Sequence, residues 1–420
     1  MLIKFTVENC FSFKEETTLD MIASSVSQHK DTNIINALNY NLLKSIAIFG
    51  ANASGKSNLF KAMKFAKDFV LKSSKETQAQ ESISVVPFLL SSETENQPSL
   101  FEFIFIQNNM KYRYGLRLNK TEVVDEWLFE AKKVKETLLF ERHFQKIKVN
   151  PKFKEGLKLT EMTRKNALFV SVVAQFNGKI AESIIEWFSD LNIISGLGEY
   201  SPVTLKILED SKLKDEFLNV FKIADFSIDD FRLKQRDISN APKFIQKEIE
   251  KAKEAGIDLK LMPEIKTLHK KFNSQKELVE LVEFDLDDME SKGTQNLFSL
   301  LGPILDTLST GKVLIIDELE SNLHPLITRF LVKLFHLKND NSQFIFNTHD
   351  TNLLSNKFFR RDQIYFVNKN KYGQSSLYSL IDYDVRYDRI FDKDYLEGRY
   401  EAVPFIDNYS FWGNETCVKH

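Results

Sequence analysis

Eight residues, Gly50-Ala51-Asn52-Ala53-Ser54-Gly55-Lys56-Ser57, constrain this chain more than any other stretch. They spell G-x-x-x-x-G-K-[ST], a loop whose backbone N–H groups cradle phosphates. The flanks agree with that reading. Ser45-Ile46-Ala47-Ile48-Phe49 is an apolar run of strand length, and Leu59, Ala62, Met63, Ala66, Phe69 and Val70 recur at helical spacing after the loop. Strand, glycine turn and helix N-terminus together present open N–H groups and a positive dipole end to an anion. In such a loop Lys56 reaches the β- and γ-phosphates and the Ser57 hydroxyl holds Mg²⁺. The site residues read from this stretch are Gly50, Asn52, Ala53, Ser54, Gly55, Lys56, Ser57 and the neighbouring Asn58. A glycine loop before a helix also occurs as plain packing, but the strand and helix on either side favour the phosphate loop.

A second acidic element follows much later. Val313-Leu314-Ile315-Ile316-Asp317-Glu318 is an apolar strand ending in two carboxylates. Burial explains four aliphatic residues in a row. It does not explain two adjacent acids at the carboxyl end, where open α/β sheets place their ligands. Asp317 is expected to serve the metal and Glu318 to polarise the attacking water. The next strand, Gln343 to Asn347, leads into Thr348-His349-Asp350, which puts His349 within reach of a γ-phosphate. Before the acidic strand, Ser291 and Gly293 open a segment with Leu297, Leu300, Leu301, Ile304, Leu305 and Leu308 at helical spacing. A serine there is an ordinary helix cap or part of an anion site.

The distance between the two halves sets the architecture. Lys56 and Asp317 lie 261 residues apart, so something large is inserted. The intervening sequence divides by pattern. Leu2 to Val7 and Phe11 to Phe13 read as an edge hairpin with a turn at Glu8-Asn9-Cys10, and 72–98 as a polar surface loop. Leu100 to Ile106, Tyr112 to Leu118 and Val123 to Phe129 read as an antiparallel meander with turns at Asn108-Asn109 and Asn119-Lys120. Residues 178–224 are helical in pattern, 241–256 form a mixed-charge helix, and 258–284 alternate like a hairpin through Phe272-Asn273-Ser274. The expected domains are 1–71, the first part of an ATPase core; 72–175, a β-rich subdomain; 176–284, a helical and β insertion; 285–407, the rest of the core; and a tail, 408–420. The fold class expected is α/β: a mixed sheet with flanking helices, an antiparallel β subdomain and a large insertion.

Composition narrows the setting. With 57 Lys and Arg against 59 Asp and Glu in 420 residues, no global field draws the molecule to nucleic acid. One stretch departs from this balance: 132–165 holds eleven Lys or Arg and four Glu, net +7. It is either a solvated surface or a nucleic-acid contact. Two cysteines make no disulfide framework and sit in no metal spacing. No signal-peptide block and no membrane span is visible, so the expectation is a cytoplasmic protein with no membrane partner.

The order of these features resembles the ABC-type ATPase heads, in the branch that contains SMC proteins, RecF and the OLD family. The opening Ile3-Lys4-Phe5 and Asn9-Cys10-Phe11-Ser12-Phe13 fit that branch. A fuller likeness runs through Leu43 to Asn58, Gly293-Thr294-Gln295, Glu318 to Pro325, Thr348-His349-Asp350 and Tyr395 to Ile406. It is to prokaryotic stand-alone AAA/ABC-like ATPases of abortive-infection and RloA-type systems. The resemblance implies ATP and Mg²⁺ as cofactors, with Asn52, Gly55, Lys56 and Ser57 on the phosphates and metal. Asp317 and Glu318 serve metal and water, and His349 is the switch histidine.

It also implies that Ser291 and Gly293 contact ATP held by another copy, in a head-to-tail homo-oligomer, with Ser321 to His324 crossing that interface. His324 is otherwise a turn residue. Gln175 is the implied Q-loop glutamine, or an ordinary polar residue beside a helix. The implied partner is an effector encoded nearby, a RloB-like or Toprim-type nuclease, in antiphage defence. The alternative function is a repair or recombination ATPase that binds DNA directly; a transporter subunit fits poorly with the long insertion. Lys292 stands where the signature's first glycine would be, and His324 where an aspartate is usual. These departures leave slow hydrolysis or a standing oligomer open.

Overall fold

The computed structural model describes residues 1–76, 78, 80–196, 201–224, 227–235, 263–338, 341–383 and 391–403. They form two units: residues 1–195, 311–319 and 329 onward make the first, and 196–310 with 320–328 the second.

The first unit holds two large sheets. Its six-stranded sheet runs Leu191–Ser195, Val313–Asp317, Gln343–Asn347, Ser45–Phe49, Ile364–Lys369, Ser375–Ser379. The first five strands are parallel and the last is antiparallel. Every residue of Ser45–Phe49 and of Gln343–Asn347 is buried, as strands covered on both faces require. The continuous apolar runs in the sequence have this cause. Parallel pairing aligns the carboxyl ends of the phosphate-loop strand, the acidic strand and the histidine strand. The helix Lys56–Lys72 follows the loop as expected and buries Leu59, Phe60, Ala62, Met63, Ala66 and Val70.

The seven-stranded sheet is antiparallel: Lys146–Val149, Thr137–His143, Val123–Ala131, Met110–Leu118, Ser99–Gln107, Leu2–Glu8, Thr17–Asp20. The expected meander is present, and Asn108 and Asn109, both at positive φ, make its tight turn, as asparagine readily does. One inner face carries Phe101, Phe103, Phe105 and Tyr114, against which Trp187 and Phe188 of the helix Lys179–Asp190 pack. Phe105 and Trp187 stack with centroids 4.0 Å apart. Glu126, wholly buried, accepts from the Tyr114 hydroxyl and from the N–H groups of Phe169 and Val170, and faces buried Arg142 at 3.6 Å. It caps the helix Phe169–Gln175 and ties it to the sheet.

Two expectations need correction. The strand returning beside Leu2–Glu8 is Thr17–Asp20, with Lys4 opposite Asp20; Phe11 to Phe13 instead form a tight loop closed by a Cys10–Phe13 bridge. The strand Leu191–Ser195 was expected to be helix. The helix ahead of it ends at Asp190 and the chain turns straight into the strand without Gly or Pro, so apolar spacing runs through the boundary unmarked. Residues 176–195 cluster with the first unit and 285–310 with the second.

The second unit packs the helices Pro202–Glu209, Ser211–Ile223 and Lys292–Thr310 with a three-stranded sheet, Asp230–Lys234, Glu264–Phe272, Leu278–Asp285. Phe217, Phe231 and Phe298 meet edge to face at its centre. The hairpin turn at 273–277 is as expected; Asn273 Oδ1 accepts from the N–H groups of Gln275 and Glu277. The helix expected over 241–256, and the segment from 404 on, lie outside the described residues.

A polar cluster anchors the phosphate-loop strand from below. Ser45 Oγ meets His336 Nε2 at 2.7 Å and accepts from Gln363 Nε2 at 2.9 Å. Burial, with the Lys44 ammonium nearby, lowers the His336 pKa to about 3. An unfolded histidine protonates near 6.5, so between these values the unfolded chain binds the extra proton. This stabilisation is complete above the unfolded pKa and declines as pH falls toward 3, with about 2 kcal/mol lost by pH 5. Urea denaturation at pH 7.5 and 5 should show a smaller acid loss for His336→Gln than for the wild type. Equal losses would mean that His336 is not the buried neutral group described.

Candidate functional site

The loop Gly50–Gly55 is held in shape by groups far away in sequence. Ser375 Oγ donates to Ser54 O at 2.6 Å and lies 2.8 Å from the Ser12 hydroxyl, which can donate to it, and Asn58 Nδ2 donates to Ser12 Oγ at 2.9 Å. Gly55 has φ +113, and a Cβ there would lie 2.2 Å from Ser375 Oγ and 2.6 Å from Ser12 Oγ. Only glycine fits. Ala53 also sits at φ +60, in the αL region that helps a loop turn its N–H groups to one side. The Ser54 hydroxyl is buried with no hydrogen-bond partner among the described residues. Lys56 is buried, its Nζ folded onto Gly50 O at 2.7 Å and Ala51 O at 3.0 Å. Asn52 and Ala53 are exposed. An open depression of about 940 Å³ adjoins the loop, walled by Ala51 to Ser54, by Asn368 to Asn370 and by Leu396 to Gly398.

The acids meet the loop. Ser57 Oγ donates to Asp317 Oδ1 at 2.9 Å. Asn347, buried at the end of its strand, donates through Nδ2 to the same Asp317 oxygen, and its Oδ1 accepts from the Glu318 N–H at 2.5 Å. Glu318 stands at φ +61. His349 is exposed, two residues beyond Asn347. Lys56, Ser57, Asp317, Glu318 and His349 therefore share one end of one sheet. Two hard oxygen donors, Ser57 Oγ and Asp317, beside a loop of N–H groups suit Mg²⁺ with a polyphosphate.

Gln175 is exposed at the end of the helix Phe169–Gln175, whose Ser171 Oγ donates to Val70 O. The residue opposite Asp317 on the neighbouring strand is Ser195. In the second unit, Ser291 Oγ accepts from Thr294 N at 3.1 Å and caps the helix Lys292–Thr310. Gly293 lies against the 321–324 turn: a Cβ would be 2.9 Å from Asn322 O, and Asn296 Nδ2 donates to Ser321 O at 2.6 Å. His324 Nδ1 accepts from Leu326 N at 3.2 Å at the start of the next helix.

Within the basic stretch, Arg142 is buried on the carbonyls of Phe144 and Ala167 and Arg164 is half-buried. The other nine cations are exposed. Sequence reasoning missed Asn347, Ser12 and Ser375 as parts of the site. Asn347 had a signal, a polar residue closing an apolar strand. Ser12 and Ser375, 363 residues apart, had none.

Residues 45–355 match the model of a family described as AAA domain, putative AbiEii toxin, Type IV TA system. No curated protein matches the chain. Among solved structures it is similar to the SMC head domain from Thermotoga maritima, at 14% identity and a TM-score of 0.42, over 90% of this chain and 98% of that one. It is similar also to an SMC head bound to the C-winged helix domain of ScpA, at 13% identity and a TM-score of 0.44, over 90% and 97%. Among the described residues no helix is long and apolar enough to cross a membrane.

The loop geometry makes a direct prediction. Gly55→Ala forces a strained φ and displaces Ser375 and Ser12, at a cost of about 1–3 kcal/mol in the loop. Binding of a fluorescent ATP analogue should weaken at least tenfold while the far-ultraviolet circular dichroism stays unchanged. Undiminished binding would show that the loop is not the anion cradle.

Proposed function

The chain belongs to the family described as AAA domain, putative AbiEii toxin, Type IV TA system, and we propose that it binds and hydrolyses ATP to switch its own assembly and control a partner effector. One observation carries the catalytic part: the 2.9 Å bond from Ser57 to Asp317 joins the loop helix to the acidic strand. Lys56 binds phosphate oxygens, the loop N–H groups hold the β- and γ-phosphates, and Ser57 with Asp317 holds the metal. Mg²⁺, when bound with ATP, supplies charge neutralisation on the phosphates. Glu318 orients the attacking water and His349 contacts the γ-phosphate.

The assembly part rests on Ser291 and Gly293 with the 321–324 turn, which in this reading face ATP held by a second copy. The effector part rests on the family description, which names a toxin–antitoxin system. In this reading the killing chemistry belongs to a nuclease-type partner and the ATPase restrains or releases it during infection. Lys56→Ala should lose ATP binding. Glu318→Gln should keep binding, lose at least 100-fold in turnover and accumulate an ATP-dependent oligomer by size-exclusion chromatography. Hydrolysis unchanged in Glu318→Gln would remove Glu318 from the mechanism, and a monomer with ATP would remove the shared site.

The nine exposed cations of 132–165 favour a second reading, direct DNA binding. It predicts affinity that falls steeply with salt and drops at least tenfold when Lys146, Lys148 and Lys152 are reversed to Glu. Binding that is absent or insensitive to salt would leave the stretch as a solvated surface.

A further inference from the structure

We propose that Asn347 is the positioning residue for both acids of the ATP site, a role that rests on the ATPase reading above. Its side chain is completely buried at the end of Gln343–Asn347, the strand between the acidic strand and the phosphate-loop strand. One carboxamide serves two neighbours. Nδ2 donates to Asp317 Oδ1, the oxygen that also accepts from Ser57 Oγ. Oδ1 accepts from the Glu318 N–H, and the Asn347 backbone carbonyl accepts from the Leu319 N–H at 3.2 Å.

The two bonds address two separate problems. A carboxylate on a strand end has a free χ2 rotation. With donors from Asn347 and Ser57 on a single oxygen, Asp317 Oδ1 is fixed, and in the ATPase reading its second oxygen is the one left to serve the metal. Glu318 stands at φ +61, a conformation that costs a non-glycine residue about 1–2 kcal/mol. The chain must therefore leave the strand axis at this residue. The N–H groups of Glu318 and Leu319 both end on Asn347, which pins that departure and with it the direction of the Glu318 side chain.

Only an amide does both jobs at this position. A carboxylate could accept from Glu318 N–H but would oppose Asp317. An apolar residue of similar size could do neither, and would leave a buried N–H without a partner. Asn347 touches neither nucleotide nor water in this scheme; it acts through Asp317 and Glu318.

The variants Asn347→Asp, Asn347→Leu and, as a fold control, Asn347→Ser separate this role from simple packing. ATP turnover, binding of a fluorescent ATP analogue with and without Mg²⁺, and melting temperature are measured on each and on Lys56→Ala. The expected result for Asn347→Leu and Asn347→Asp is a kcat lower by at least 30-fold with KM for ATP within threefold of wild type. The Mg²⁺ concentration giving half-maximal nucleotide binding should rise at least fivefold, while metal-free binding stays unchanged. Asn347→Ser, which keeps a small polar group, should melt near the wild type and show a partial kcat loss with the same raised Mg²⁺ requirement. Wild-type kcat and Mg²⁺ dependence in Asn347→Leu would overturn the inference while leaving the ATPase reading intact. An equal loss of metal-free binding in every variant would also overturn it, because that is what a merely structural residue does. A wild type that binds no ATP would overturn both.

Discussion

The bond from Ser57 to Asp317 spans 260 residues, and the rest of the first unit is arranged so that it can form. It needs two parallel strands, Val313–Asp317 and Ser45–Phe49, to end at the same level with one strand between them. That level is set by register: Phe346 lies beside Ile316 on one side and beside Ala47 on the other. Because side chains alternate at a period of two, a slip of one residue would turn Asp317 away from the loop. The buried aliphatic faces that look like generic core therefore also aim the chemistry.

The same constraint explains the polar cluster beneath the loop strand. Ser45, His336 and Gln363 are buried at the end away from the site. There a polar group costs free energy unless it is satisfied, and each finds its partners in the others. A core of leucine would supply more apolar burial but would fix the strand's position less sharply. Gln343 adds to this by bonding Leu2 N–H and Leu2 O, which ties the histidine strand to the first strand of the antiparallel sheet.

The sequence revealed those parts of the site whose chemistry is local. A loop that needs Gly55 at positive φ, a lysine and a serine must carry them within a few residues, so it is readable anywhere. Two acids at the end of a buried strand are readable for the same reason. What stayed hidden was set by distant contacts or by unmarked joints. Ser12 and Ser375 brace the loop only because the fold brings them together. Leu191–Ser195 continues the apolar rhythm of the helix before it, and no glycine or proline announces the change. The expected return strand at Phe11 to Phe13 failed for a related reason: its aromatic residues suit a strand, but Phe11 lies at positive φ, which ends the ladder there.

Backbone strain and hydrogen bonding are matched at the acid end of the strand Val313–Asp317. Glu318 is held at positive φ by bonds from its own N–H and the next one to Asn347. Just beyond Leu319 the chain passes from the first unit into the second, at Glu320, within the turn that includes Ser321 and Asn322. The residue proposed to orient water therefore lies three positions from the 321–324 turn proposed to meet a second copy. In the proposed function, the turn that meets a second copy and the residue that orients water are then joined through a few covalent bonds, with the buried Asn347 amide holding the near end.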